Sequence, residues 1–174
     1  MKMNLIASLI KMINEKKEES VDGTYVGAHF SKDTIKQLKK ALKELKIPNP
    51  LAEEKFHTTI MYSTNYFDFE AKGKLDPPWI GTPDKLEIFP TQSGKNALVL
   101  RYKCDEQKDR FDYIMKNYNA KYTFPEYKIH LTLSYDCGDF DIKDVDIKKY
   151  VDKIEIVEEY SEPLKLDWNN DNDD

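Results

Sequence analysis

Two short runs stand out for their chemistry: His57-Thr58-Thr59 and His130-Leu131-Thr132 each set an imidazole two residues ahead of a hydroxyl. In an extended strand, side chains two residues apart share a face. His57, Thr59 and Met61 then lie together, opposite Thr58, Ile60 and Tyr62, while His130, Thr132 and Ser134 oppose Leu131 and Leu133. One such pair carries no information. The chain holds only 3 histidines, however, and two of them recur in this pattern within matching β-rich contexts. Imidazoles, with an ordinary pKa of ~6.5, can divide into a base and an acid near neutrality. Hydroxyls beside them can donate to the non-bridging oxygens of a phosphate. The chemistry implied is in-line phosphoryl transfer, in which one histidine takes a proton from the attacking hydroxyl and the other protonates the departing oxygen.

Other chemistries lack their residues. No nucleophilic serine sits in a Gly-rich elbow and no Gly-rich phosphate loop occurs, which disfavours acyl hydrolases and NTPases. The two motif histidines lie dozens of residues apart with no Cys or carboxylate cluster at ligand spacing, so no metal and no cofactor is expected. A formal net charge of -5 argues against coating a long nucleic acid, which takes a surplus of Lys and Arg, but allows a small anionic ligand. No apolar run reaches the roughly 20 residues that span a bilayer. Cys104 and Cys137 read as reduced thiols, and a cytoplasmic protein is expected, in the host bacterial cytoplasm if phage-encoded.

The elements that must carry the motifs can be read from periodicity. Leu5, Ile6, Leu9, Ile10 and Ile13 predict a short N-terminal helix, followed by a charged loop up to residue 22. Thr24 to Phe30 predicts a strand, and Ser31 caps a helix with the stripe Ile35, Leu38, Leu42 and Leu45. Phe56 to Tyr62 is the first motif strand. Residues 65–82, rich in Pro and Gly, read as a long loop. Lys85 to Thr91 and Ala97 to Lys103 predict a hairpin about Ser93-Gly94. Asp105 opens a helix with stripe Phe111, Ile114, Met115 and Tyr118, and Tyr127 to Ser134 is the second motif strand. A short helix near Ile147, strands at Lys153 to Glu159 and Leu164 to Trp168, and a disordered acidic tail over 169–174 complete the chain.

Strand, helix, Pro-containing loop and His-x-Thr strand thus occur twice in the same order. A repeat of this size predicts an α+β domain over 23–168 with two pseudo-symmetric β/α lobes around a central cleft, the apolar strand faces taking the helices.

The runs Phe56-His57-Thr58-Thr59-Ile60 and Ile129-His130-Leu131-Thr132-Leu133 resemble the paired motifs of the two-histidine (2H) phosphoesterases, bilobal α+β proteins that act without a metal. Within that superfamily, Gly23-Thr24-Tyr25-Val26, the stretch Leu51 to Ser63, and Glu158 to Leu164 look like the bacteriophage anti-CBASS nucleases. That resemblance implies cleavage of the cyclic di- and trinucleotide messengers of a bacterial defence system, with His57, Thr59, His130 and Thr132 catalytic. Two other readings keep the site: an RNA 2′,3′-cyclic phosphodiesterase, and a binding protein that sequesters the messenger without cutting it.

Tyr25 shares its face with Gly27 and His29, as a half-buried strand aromatic or as a surface on which a base stacks; the resemblance favours stacking. It also supports Glu158 as the acceptor of a base amino group. Strand parity is awkward for Glu158, because an unbroken strand with Ile154 and Ile156 against the helices turns Glu159 into the cleft, and only a bulge aims Glu158 there. Both are kept, Glu158 first. Trp79 and Trp168 are candidate stacking or lid residues, and His29 reads as peripheral.

Overall fold

The computed structural model describes residues 22–165 and shows a mixed α+β fold, with six antiparallel strands and two α-helices. The strands are β1 (Gly23–Phe30), β2 (Thr58–Ser63), β3 (Gly73–Pro90), β4 (Asn96–Lys103), β5 (His130–Ser134) and β6 (Ile154–Leu164). They close into a barrel in the order β1-β2-β5-β4-β3-β6. The helices are α1 (Lys32–Glu44) and α2 (Asp105–Asn117). The expected N-terminal helix, Trp168 and the acidic tail lie outside the described residues. The two repeat units are not separate bodies: β6-β1-β2 and β3-β4-β5 are joined at both margins into one sheet. The β2–β5 join is narrow, with Thr58 opposite Leu131 as its sole register pair.

Local chemistry accounts for most elements. The Ser31 hydroxyl accepts from the Thr34 amide at 3.2 Å, capping α1, and Asp33 in the first turn and Lys43 in the last suit the helix dipole. Leu38, Ala41 and Leu42 of α1 and Phe111 and Ile114 of α2 join Val26, Ala28, Ile60, Leu131, Leu133, Leu98 and Leu100 in one core. Each large apolar side chain buried there contributes roughly 1.5–3 kcal/mol. Helices cover a closed barrel from outside, so the strand face opposite this core is turned inward.

The expected boundaries change at β3 and β6. Residues 73–90 form one continuous strand instead of a loop followed by a shorter strand. Pro77 and Pro78 fall where pairing with β6 lapses between Lys74 and Trp79, so their missing amides cost no ladder bond. β6 extends the strand expected at Lys153 to Glu159 as far as Leu164, while most of the strand expected at Leu164 to Trp168 lies outside the described residues.

Candidate active site

β2 and β5 bring the four motif residues together. Antiparallel pairing about Thr58 and Leu131 sets His57 on the Thr132 side and Thr59 on the His130 side, all four on the inward face. Each histidine is held in the same way. His57 Nδ1 lies 2.8 Å from the Lys55 carbonyl oxygen and His130 Nδ1 lies 2.7 Å from that of Lys128. A carbonyl only accepts, so Nδ1 carries the hydrogen in both rings, which leaves Nε2 as the acceptor atom of the neutral imidazole.

Each motif also ends in a bulge at the same place. Gly27 pairs with Thr59 but Val26 with Met61, leaving Ile60 as the extra residue; Val99 pairs with Thr132 but Leu98 with Ser134, leaving Leu133. Strict alternation put Met61 and Ser134 beside the histidines. The bulges reverse the parity and send both into the core, fully buried. Tyr62 moves onto the Tyr25 side instead, directly opposite it.

A bulge frees ladder groups that must find other partners. The Thr59 carbonyl accepts from Tyr127 Oη at 2.8 Å and from Gln107 Nε2 at 3.3 Å. The fully buried Gln107 of α2 also donates to the Thr58 hydroxyl at 3.1 Å, and Tyr102 Oη donates to that hydroxyl at 2.8 Å. Thr58 in turn donates to the His130 carbonyl at 2.9 Å. The residue between His57 and Thr59 therefore ties its strand to the backbone of the second histidine. Burial pushes both tyrosine hydroxyls well above their ordinary range, so they remain neutral donors. Sequence reasoning missed Gln107, Tyr102 and Tyr127, because their partners lie 5 to 68 positions away.

The other expected contacts divide. Tyr25 is 6% exposed, its hydroxyl 2.9 Å from Thr59 Oγ1 and its ring 6.3 Å from that of His57 and 6.1 Å from that of Tyr160. So buried, the ring leaves little surface on which a base could stack. Gly27 makes room for this packing: a Cβ there would lie 2.6 Å from Tyr160 Oη and 2.7 Å from the Tyr25 ring.

Glu158 and Glu159 are separated by the bulge that parity required. His29 pairs with Glu158 and Phe30 with Ile156, so Val157 is the extra residue. Glu158 turns to the His29 side, half-exposed, with Oε1 2.9 Å from His29 Nδ1. His29, expected to be peripheral, also stacks on Tyr160 at 4.5 Å. Glu159 goes the other way, and its expected cleft contact is corrected: it is 1% exposed and gripped by Arg110 through bonds of 2.8 and 2.9 Å, with the Lys72 amide donating at 2.9 Å. The bond to Glu159 raises the Arg110 guanidinium above its ordinary pKa. Trp79 is corrected likewise: paired with Ile156 and 8% exposed, it belongs to the core and not to a lid.

A family model described as anti-CBASS protein Acb1 matches residues 22–171. Curated phage proteins of that description align over most of the chain. The one from Vibrio phage KVP40 is 32% identical over 152 residues, covering 87% of this chain and 93% of the relative. Those from Yersinia phage phiR1-RT and Enterobacteria phage T4 are 34% and 36% identical over 155 and 151 residues, covering 88% and 86% of this chain and 96% and 93% of the relatives.

Proposed function

The chain belongs to the anti-CBASS protein Acb1 family, which counters CBASS defence, and we propose that it does so as a phosphodiesterase cutting 3′,5′-linked cyclic di- or trinucleotides in the host cytoplasm. The observation that carries this reading is the matched pair of Nδ1–carbonyl bonds, which gives both histidines the same tautomer on one face beside Thr59 and Thr132. The same pairing supports assignment to the two-histidine phosphoesterases.

A ribose 2′-oxygen next to the phosphodiester is the nucleophile that costs least, because the substrate already holds it in place. It attacks phosphorus as one histidine takes its proton at Nε2. The bond to the 5′-oxygen breaks as the other imidazolium protonates that oxygen. Thr59 and Thr132 donate to the oxygens on which charge grows. The product is a linear oligonucleotide ending in a 2′,3′-cyclic phosphate. Glu158, held by His29, whose ring stacks on Tyr160, accepts from a base amino group.

The purified protein is incubated with cyclic di- and trinucleotides and with RNA ends bearing a 2′,3′-cyclic phosphate, and the products are resolved by mass. Linear products with a cyclic-phosphate end, formed equally well in excess EDTA, are expected. Cleavage of a cyclic dinucleotide with two 2′-deoxyriboses at the ribose rate would overturn the mechanism. Binding of the messengers without any product would make the protein a sponge.

A further inference from the structure

We propose that Glu87 and Arg101 form a second nucleobase-reading subsite, on the His130 side of the site. The proposal rests on the cyclic-oligonucleotide reading above. Arg101 of β4 pairs directly with His130 of β5, so their side chains leave the sheet on the same face. Glu87 of β3 pairs with Val99, which in turn pairs with Thr132, and so shares that face. Arg101 Nη1 lies 3.0 Å from Glu87 Oε2, with the two side chains 21% and 29% exposed. Among the described residues, Arg101 Nε is the buried side-chain polar atom left without a hydrogen-bond partner. A buried donor left unpaired is costly, so a ligand that draws the partly exposed Arg101 guanidinium outward beside His130 gains by supplying the acceptor that Nε lacks. Phe89 adds apolar surface, its ring 5.0 Å from that of His130 with Lys128 Nζ 5.6 Å above it.

The His57 side is built alike, with an imidazole and a carboxylate 2.9 Å apart in His29 and Glu158 and an aromatic ring in Tyr160. Every phosphodiester of a cyclic oligonucleotide joins two nucleosides. With one phosphodiester between the histidines, one base falls toward each flank. A carboxylate acceptor beside a guanidinium donor matches a base edge on which an N–H adjoins a ring nitrogen or carbonyl, as in the amino purines. A second phosphate fits less well, because Glu87 already neutralises Arg101 and would repel an anion.

The test is a cycle between protein and ligand, read as kcat/KM for cleavage of 3′,5′-cyclic di-AMP and of the same ring with both adenines replaced by hydrogen. Arg101→Gln and Glu87→Gln are each expected to lower kcat/KM on the intact ring about tenfold, through KM, and to have little further effect on the ring without bases. An equal loss on both rings assigns Arg101 to a phosphate, and no loss on either removes it from the site; each overturns the proposal. Glu87→Gln keeps the side chain's size and decides the matter if Arg101→Gln melts early. A wild-type protein that neither binds nor cuts either ring overturns the parent reading instead.

Discussion

The two His-x-Thr strands share what chemistry demands and differ in what surrounds it. Both hold Nδ1 on the carbonyl two residues back and both bulge one residue past the threonine. Their central residues, however, are Thr58 and Leu131. Leu131 is ordinary core, whereas the Thr58 hydroxyl is the node where Tyr102, Gln107 and the His130 carbonyl meet. The flanks repeat one arrangement with different side chains: His29, Glu158 and Tyr160 beside the first motif, Arg101, Glu87 and Phe89 beside the second. Under the proposed mechanism, proton transfer asks the same of both strands, while holding the strands together and reading a ligand do not, and the two strands differ in those duties alone.

If the histidines are equal partners, His57→Ala and His130→Ala each lower kcat by about 10²- to 10⁴-fold, and the double variant is little worse than either, because acid and base act as a unit. Single-turnover assays check this, and a large loss at one histidine alone would break the equivalence. Stability probes the links between the halves. Glu159→Gln strands the Arg110 charge, whose side chain is 11% exposed, and should cost about 3–5 kcal/mol in urea unfolding. Glu158→Gln, one residue away but half-exposed, should cost less than about 1 kcal/mol while raising KM.

Thr58→Val keeps shape but strips the node, leaving buried donors and a carbonyl unpaired. A loss of about 1–3 kcal/mol is expected, with kcat falling more than KM rises and recovery in Thr58→Ser. The smallest effect concerns Cys104, between β4 and α2, whose thiol burial pushes up to about 11. The folded chain holds it protonated, so its contribution to stability is present below the ordinary thiol pKa and is lost as pH rises through about 11. Alkylation of native Cys104 at pH 8 should be far slower than in urea.

The chain's residue order alone supplied the histidine pair, the threonines that accompany them, the Ser31 cap, the hairpin at Gly94 and the twofold recurrence of strand, helix and motif. These depend on local rules: period two in a strand, a hydroxyl ahead of a helix, a glycine at positive φ, here +80°. Tertiary structure decided which face each residue takes beyond the motifs. The bulges at Ile60, Leu133 and Val157 reverse Met61, Ser134, Glu158 and Glu159, and Pro77 and Pro78 sit within a strand because β6 pairs on either side of them. A bulge is stable only if the strand beside it and the helix above it satisfy the groups it frees, as Tyr127 and Gln107 do for Thr59. Such partners lie far away along the chain, and since side-chain direction alternates with every residue, one extra residue exchanges the core for the cleft.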